Sequence, residues 1–314
     1  MAGFCIDESS FQCLSDLPLV ISRLNDQLAT IHDEHHQQVY KSSELDHTHV
    51  LEGVEFCDLL YNGEFGLIDQ DERLLLQQTI NRCIVWDAED FDIPDGEILL
   101  NGQQTACASI MFVCTKALVE EAIGIISLSP SESLNVCEVS VGESTTRVFH
   151  VGLESRLEPF YRFQICFEKV SREDFGNSVH LSFPRLRFAL ELSSQLRRFR
   201  QNYADIRDTI VVHLASINDE FLDQLLTGAQ LSEACALVRS SCGVDISPES
   251  PNTHRNTSAM REREVQFRGS TIVCEFHTKL KPTQDRIHFS PTVRSEADDR
   301  KYIVVGPFAE HLTT

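Results

Sequence analysis

The sequence predicts an α+β protein in which antiparallel sheets flank a helical segment. Three patterns carry that expectation. Tyr161, Phe163, Ile165 and Phe167 alternate with Arg162, Gln164, Cys166 and Glu168, a period of two that reads as a strand. Leu192, Leu196, Phe199, Tyr203, Ile206, Ile210, Leu214 and Ile217 recur every three or four residues, as in an amphipathic helix, continuous or broken near Asn202. From Val265 onward the period returns to two. The chain then divides into an acidic α+β region with an antiparallel sheet (1–185), a helical segment (186–243), a linker or loop (244–262) and a small C-terminal antiparallel sheet (263–314).

In chain order, residues 8–42 read as helical. Leu17, Ile21, Leu24, Leu28 and Ile31 form the apolar stripe, Ser10 or Asp16 caps it, and Pro18 suits a first turn. His32 and His36 stand four apart on that helix, a spacing open to two metal ligands, but no H-e-x-x-H pattern accompanies them. Residues 73–85 predict a short helix. Residues 87–97 are the most acidic stretch and lack the EF-hand spacing, so they read as a solvated loop. Residues 105–119 suit a buried helix. Residues 122–128 suit a strand, 136–141 and 145–151 a hairpin around Gly142-Glu143, and 178–183 a further strand. Helices follow at 220–227 and 231–240, the latter ending near Gly243. Residues 245–262, rich in Pro, Ser, Asn and Thr, read as linker or functional loop, with Ser247, Ser250, His254 and Arg255 beside the last sheet.

The net charge of −21 is unevenly spread. Residues 254–314 hold ten Lys and Arg against eight Asp and Glu, a net of +2, which leaves −23 for residues 1–253. Most of the chain therefore repels nucleic acid, and any RNA contact falls to the C-terminal sheet. The acidic surface is left for a protein partner. The 11 cysteines form no C-x-x-C pair and most sit in apolar contexts, which predicts buried reduced thiols in a cytoplasmic protein and no zinc site. No signal peptide and no membrane span is expected. No G-x-S-x-G or Walker pattern occurs, which disfavours an α/β-type serine hydrolase and a P-loop NTPase.

The chemistry-bearing residues gather at 265–312. Ile272, Cys274 and Phe276 share one strand face, and Glu275, His277 and Lys279 the other. After a turn at 280–285, Ile287 and Phe289 oppose Arg286 and His288. If the two strands pair, His277, Lys279, Arg286 and His288 share one surface. Lys and Arg hold phosphate oxygens and His moves protons. A third strand, 301–305, should stop at Gly306-Pro307, with 308–312 folding back over the sheet.

Arg286-Ile287-His288-Phe289 with the stretch 301–311 resembles the last part of RelE/ParE-type toxins, small antiparallel sheets that cleave ribosome-bound mRNA or bind other targets. The resemblance implies that Arg286 contacts phosphate and that His311 sits where a tail residue acts as acid or base. It covers about 50 residues, and the long acidic chain ahead of them departs from the family pattern. The functional expectation is a metal-independent ribonuclease or toxin-like effector in bacterial stress or phage defence, with no cofactor. His277, His288 and His311 are its candidate acids and bases, and Lys279 and Arg286 its phosphate grips. The alternative is a non-enzymatic binding or regulatory subunit.

Overall fold

Phe4, Cys5 and Ile6 are all buried, so strand Gly3–Ile6 (β1) is covered on both faces, as a central parallel strand must be. The computed structural model describes residues 3–12, 16–62, 66–87, 97–105, 107–128, 136–281 and 284–313. The chain divides into two units, Met1–Glu168 and Lys169–Thr314.

In the first unit β1 leads into helix Leu17–Ala29 (α1), whose Asp16 cap accepts from Leu19 N. Strand Gln38–Ser42 (β2) follows, then a small hairpin, His49–Leu51 (β3) with Val54–Glu55 (β4). Helices Phe56–Tyr61 (α2) and Gln70–Ile80 (α3) precede strand Ile84–Trp86 (β5). Strands Ile98–Leu100 (β6) and Gln103–Thr105 (β7) pair directly. Helix Ala108–Leu118 (α4), strands Ile123–Ser127 (β8), Val136–Val141 (β9) and Ser144–Gly152 (β10), and helix Glu158–Phe167 (α5) complete the unit. The sheet runs β5-β2-β1-β8-β10-β9-β6-β7. Its first five strands are mutually parallel and its remaining pairs antiparallel. Alternation along β1 sends Cys5 to the side where Trp86 stacks on Phe112 of α4, with ring centroids 4.8 Å apart. It sends Phe4 to the side where Phe160 of α5 lies 4.7 Å away.

The second unit begins with helix Phe175–Ser182 (α6), strand Leu186–Phe188 (β11) and helices Leu192–Leu196 (α7) and Tyr203–Ser216 (α8). Helices Leu222–Leu226 (α9) and Leu231–Cys242 (α10) follow, the latter closed by Gly243 in the left-handed region at φ 69°. Strand Ile246–Pro248 (β12), helices Pro251–Arg255 (α11) and Thr257–Arg261 (α12), and hairpin Glu264–Phe267 (β13) with Ser270–Val273 (β14) come next. The last strands are Phe276–Lys281 (β15), Gln284–Phe289 (β16), Arg294–Ser295 (β17) and Lys301–Ala309 (β18). The main sheet runs β11-β18-β16-β15-β12, with β17 also on β18. One face is apolar. Phe276, Ile287 and Phe289 are buried there, and Phe221 meets Phe289 edge-on at 5.4 Å. Thr278, also on this face, has its hydroxyl 2.5 Å from His213 Nδ1 of α8.

The α+β class stands, and the helix over 192–217 breaks where Asn202 caps α8 through Ala204 N. The sheet over 122–183 differs from expectation. β8 and β10 are parallel, and 161–167 is helix, not strand. Pro159 sits in the first turn of α5. The alternating aromatics conceal an i,i+4 pair, Phe163 and Phe167, whose rings stack at 5.1 Å. Residues 178–183 likewise fall mostly within α6, with Phe175 and Val179 on its buried side. Residues 8–42 hold α1 and β2 in place of one helix, and 245–262 are ordered into β12, α11 and α12. Most of the acidic stretch 87–97 lies outside the described residues, as do Pro282 and Thr283 of the turn.

β18 continues through Gly306-Pro307, contrary to the expected stop. The pairing shifts there: Ile287 faces Phe308 while Phe289 faces Val305, so two residues of β18 stand opposite His288 alone. A bulge releases the ladder hydrogen bond that proline cannot donate, which explains why Pro307 is tolerated. Gly306 is required for a different reason. A Cβ there would overlap the sulfur of Cys274.

Candidate active site

The polar face of the second sheet is built by register. Ser247 of β12, His277 of β15 and His288 of β16 form one cross-strand row. Lys279 and Arg286 are paired in the next row on the same face. The two histidine rings lie 5.4 Å apart between centroids. The hairpin therefore brings His277, His288, Lys279 and Arg286 together as expected from the alternation. The face is not a solvated one: His277 is 5% exposed and His288 0%.

Glu249, just past β12, sits at the centre. Its Oε1 lies 3.1 Å from His277 Nδ1, 2.9 Å from Arg263 Nε and 3.3 Å from His288 Nδ1. Only the His277 contact has hydrogen-bond direction; the Arg263 and His288 nitrogens approach off their N–H axes. Burial opposes a charge on Glu249, but the contacts from His277, His288 and Arg263 outweigh it and hold the carboxyl far below its usual range. Burial pushes His288 down to about 4, against the pull of Glu249, so this imidazole is neutral at neutral pH. Arg263 is wholly buried after α12. Its Nη1 donates to Ala259 O at 2.7 Å and Thr313 O at 3.0 Å. Thr313 also donates its N–H and hydroxyl to Glu262, so the tail folds back onto the end of α12.

His277 has a second partner. Its Nε2 faces Ser247 Oγ at 3.4 Å, and in a neutral ring with Nδ1 donating to Glu249 this Nε2 is the lone-pair nitrogen. Ser247 is partly exposed on the edge strand. Lys279 pairs with Asp245 at 3.6 Å. Arg286, half-buried, forms no ion pair or hydrogen bond among the described residues, and its Nε is buried without a partner. Burial lowers its pKa, with Glu249 acting the other way and Arg263 reinforcing the fall. His311 is exposed beyond the end of β18, and no hydrogen bond or ion pair joins it to the cluster.

Two groups among the described residues have the donors for a metal ion. Glu249, His277 and His288 are a His₂-carboxylate set. Arg263, however, already holds a fixed positive charge against the oxygen that a metal would take. The other group is Asp7, Glu8 and Cys107 in the first unit. There Glu8 accepts from Ser109 N at 2.9 Å and from the Ser109 hydroxyl, capping α4. Burial and the two carboxylates push the Cys107 thiol up, which makes it a poor ligand. His32 and His36 belong to neither group.

Sequence reasoning missed Glu249 and Arg263. The signal for the first was present: Val244 and Ile246 alternate with Asp245, Ser247 and Glu249, a strand pattern inside a stretch read as linker. No helix among the described residues is long and apolar enough to cross a membrane. No family model, curated protein or solved structure matches this chain.

Proposed function

We propose that residues 169–314 carry a metal-independent ribonuclease or toxin-like effector site on the polar face of the second sheet. The observation that carries this reading is the unpaired Arg286 one row from a histidine oriented by a carboxylate. A guanidinium with no ion pair among the described residues is free to take an external anion, and phosphate matches its fork. Lys279 adds a second positive charge on the same row. His277, held by Glu249, is the base. His288, neutral and beside it, supplies a further ring nitrogen, its Nε2 lacking any partner. His311 has no role in this arrangement. Arg263 beside Glu249 supports chemistry without a metal at that oxygen. RNA at this face, an acidic protein-binding surface, a cytoplasmic setting and a role in bacterial stress or phage defence complete the proposal. They rest on charge distribution and on the resemblance to RelE/ParE-type toxins.

The burial of both histidines favours a second reading, a non-enzymatic binding subunit in which the cluster only holds the fold. RNA cleavage in EDTA separates the two. Losing one charge-assisted contact costs about 1.5–3 kcal/mol, so Arg286→Ala should lower cleavage or RNA binding at least about tenfold. Arg286→Lys should restore it in part. His277→Ala should abolish turnover with binding nearly intact. Inert wild-type protein, or folded variants indistinguishable from it, would leave the binding subunit.

A further inference from the structure

His277 is the base of the proposed reaction, yet it shows almost no surface to a substrate. The group its Nε2 faces is Ser247, which is partly exposed. The chain Glu249 Oε1, His277 Nδ1 at 3.1 Å, His277 Nε2, Ser247 Oγ at 3.4 Å is the ordered sequence of orienting carboxylate, base and hydroxyl. Such contacts are commonly long before substrate binds. Ser247 lies on β12, the three-residue edge strand, so its hydroxyl can be approached from outside the sheet. Residues two apart on a strand stand roughly 7 Å apart. The long side chains of Lys279 and Arg286, in the next row, can therefore reach a phosphate in contact with Ser247.

We infer that Ser247 is the nucleophile of this site, and that its substrates are phosphodiesters with or without a 2′-hydroxyl, single-stranded DNA as well as RNA. The inference rests on the ribonuclease reading above. In the first step the Ser247 hydroxyl gives its proton to His277 Nε2 and Oγ bonds to phosphorus. The bond from phosphorus to the departing nucleoside oxygen breaks, and that oxygen takes the proton back from His277. The other strand end stays on Ser247 as a phosphodiester. In the second step water gives a proton to His277 and its oxygen bonds to phosphorus. The Ser247 Oγ–phosphorus bond breaks, and Oγ recovers the proton. Glu249 orients the imidazole and offsets its transient charge, and Arg286 and Lys279 hold the phosphate oxygens. Direct attack by a 2′-hydroxyl would instead leave a 2′,3′-cyclic phosphate.

The test uses the full chain in EDTA with end-labelled RNA, the same sequence as DNA, and an acid quench. The expected result is cleavage of both within about tenfold, linear monophosphate ends and a nucleotide adduct on the peptide containing Ser247. Ser247→Ala should cleave at least about 10⁴-fold more slowly, the lower end of the losses seen on removal of one member of such a unit. The adduct on wild-type protein needs no variant to fold. Cleavage of RNA alone with cyclic ends and no adduct overturns the inference and leaves the nuclease reading standing. So does a folded Ser247→Ala of undiminished activity. Wild-type protein that cleaves neither substrate removes both.

Discussion

Removing the charge of Glu249 should destabilise the second unit more than any surface change of similar size. Arg263 has no exposed surface, and among the described residues Glu249, at 2.9 Å, is its only ion-pair partner. In Glu249→Gln the amide oxygen can still accept from His277, so the loss falls on the guanidinium, left buried with two carbonyl oxygens and no anion. Stripping one member from a buried ion pair costs about 3–5 kcal/mol. That is a large share of the roughly 5–15 kcal/mol typical of a domain. With a urea slope near 2 kcal/mol/M, the midpoint should fall by about 1.5–2.5 M. Hydrogen exchange of peptides spanning 276–289, pulsed across a urea series, reads this unit directly. Replacing both partners, Glu249→Leu with Arg263→Met, should cost less than either single change, because no charge is left stranded. A midpoint shift below about 0.5 M for Glu249→Gln, or a double variant as weak as the two losses added, would refute a buried charge pair at the centre of the site.

Three other outcomes are expected. Gly306→Ala should destabilise the same peptides by about 1–3 kcal/mol, the range for overpacking; adding Cys274→Ala should recover part of the loss by removing the sulfur that the new Cβ meets. Burial pushes His213 down to about 4, so between pH 6.5 and 4 the unfolded chain binds the extra proton and stability falls as the pH drops, by at most about 3 kcal/mol. His213→Gln should flatten that slope in urea titrations at pH 5 and 7, and an unchanged slope would contradict a neutral buried imidazole. The ten described cysteines are free thiols, and Cys242 is the exposed one, so it should be labelled first under native conditions by a thiol reagent read by peptide mass.

The C-terminal hairpin was legible because two independent signals agreed there. The period of two set the faces, and a polar turn set the pairing, so His277, Lys279, Arg286 and His288 could be placed on one surface without any structure. Burial of that surface was not legible. It depends on Arg263 and Glu249, which arrive from beyond both strands, and a charged pair has no one-dimensional signature of being buried. The reverse error occurred at 161–167, where aromatic residues satisfied both periods at once. Pro159 and the Phe163–Phe167 spacing favoured helix, and packing of Phe160 on Phe4 decided it. Gly306-Pro307 misled for a similar reason. As local signals they end a strand, but a bulge opposite His288 and a close approach to Cys274 give both residues a place within one.

That bulge bears on the chemistry as well as on the fold. Opposite His288, β18 gains one residue relative to β16, and the local ladder is broken. His288 is thus held by a strand whose neighbour cannot pair with it regularly, on a face where its own ring nitrogens find no aligned partner. A buried imidazole left in that state costs stability. His277, its cross-strand neighbour, is fully employed between Glu249 and Ser247. The asymmetry separates the two histidines by environment: His277 is held on both ring nitrogens, as the proposed base requires, and His288 keeps a neutral ring against the carboxylate. An arrangement built for stability alone would have an apolar residue at 288, since hydrophobic replacement of buried polar groups is often neutral or favourable. His288→Leu should accordingly leave the unit folded, with a urea midpoint no lower than wild type, while altering the site's activity; a large fall in midpoint with activity per folded molecule unchanged would assign His288 to the fold.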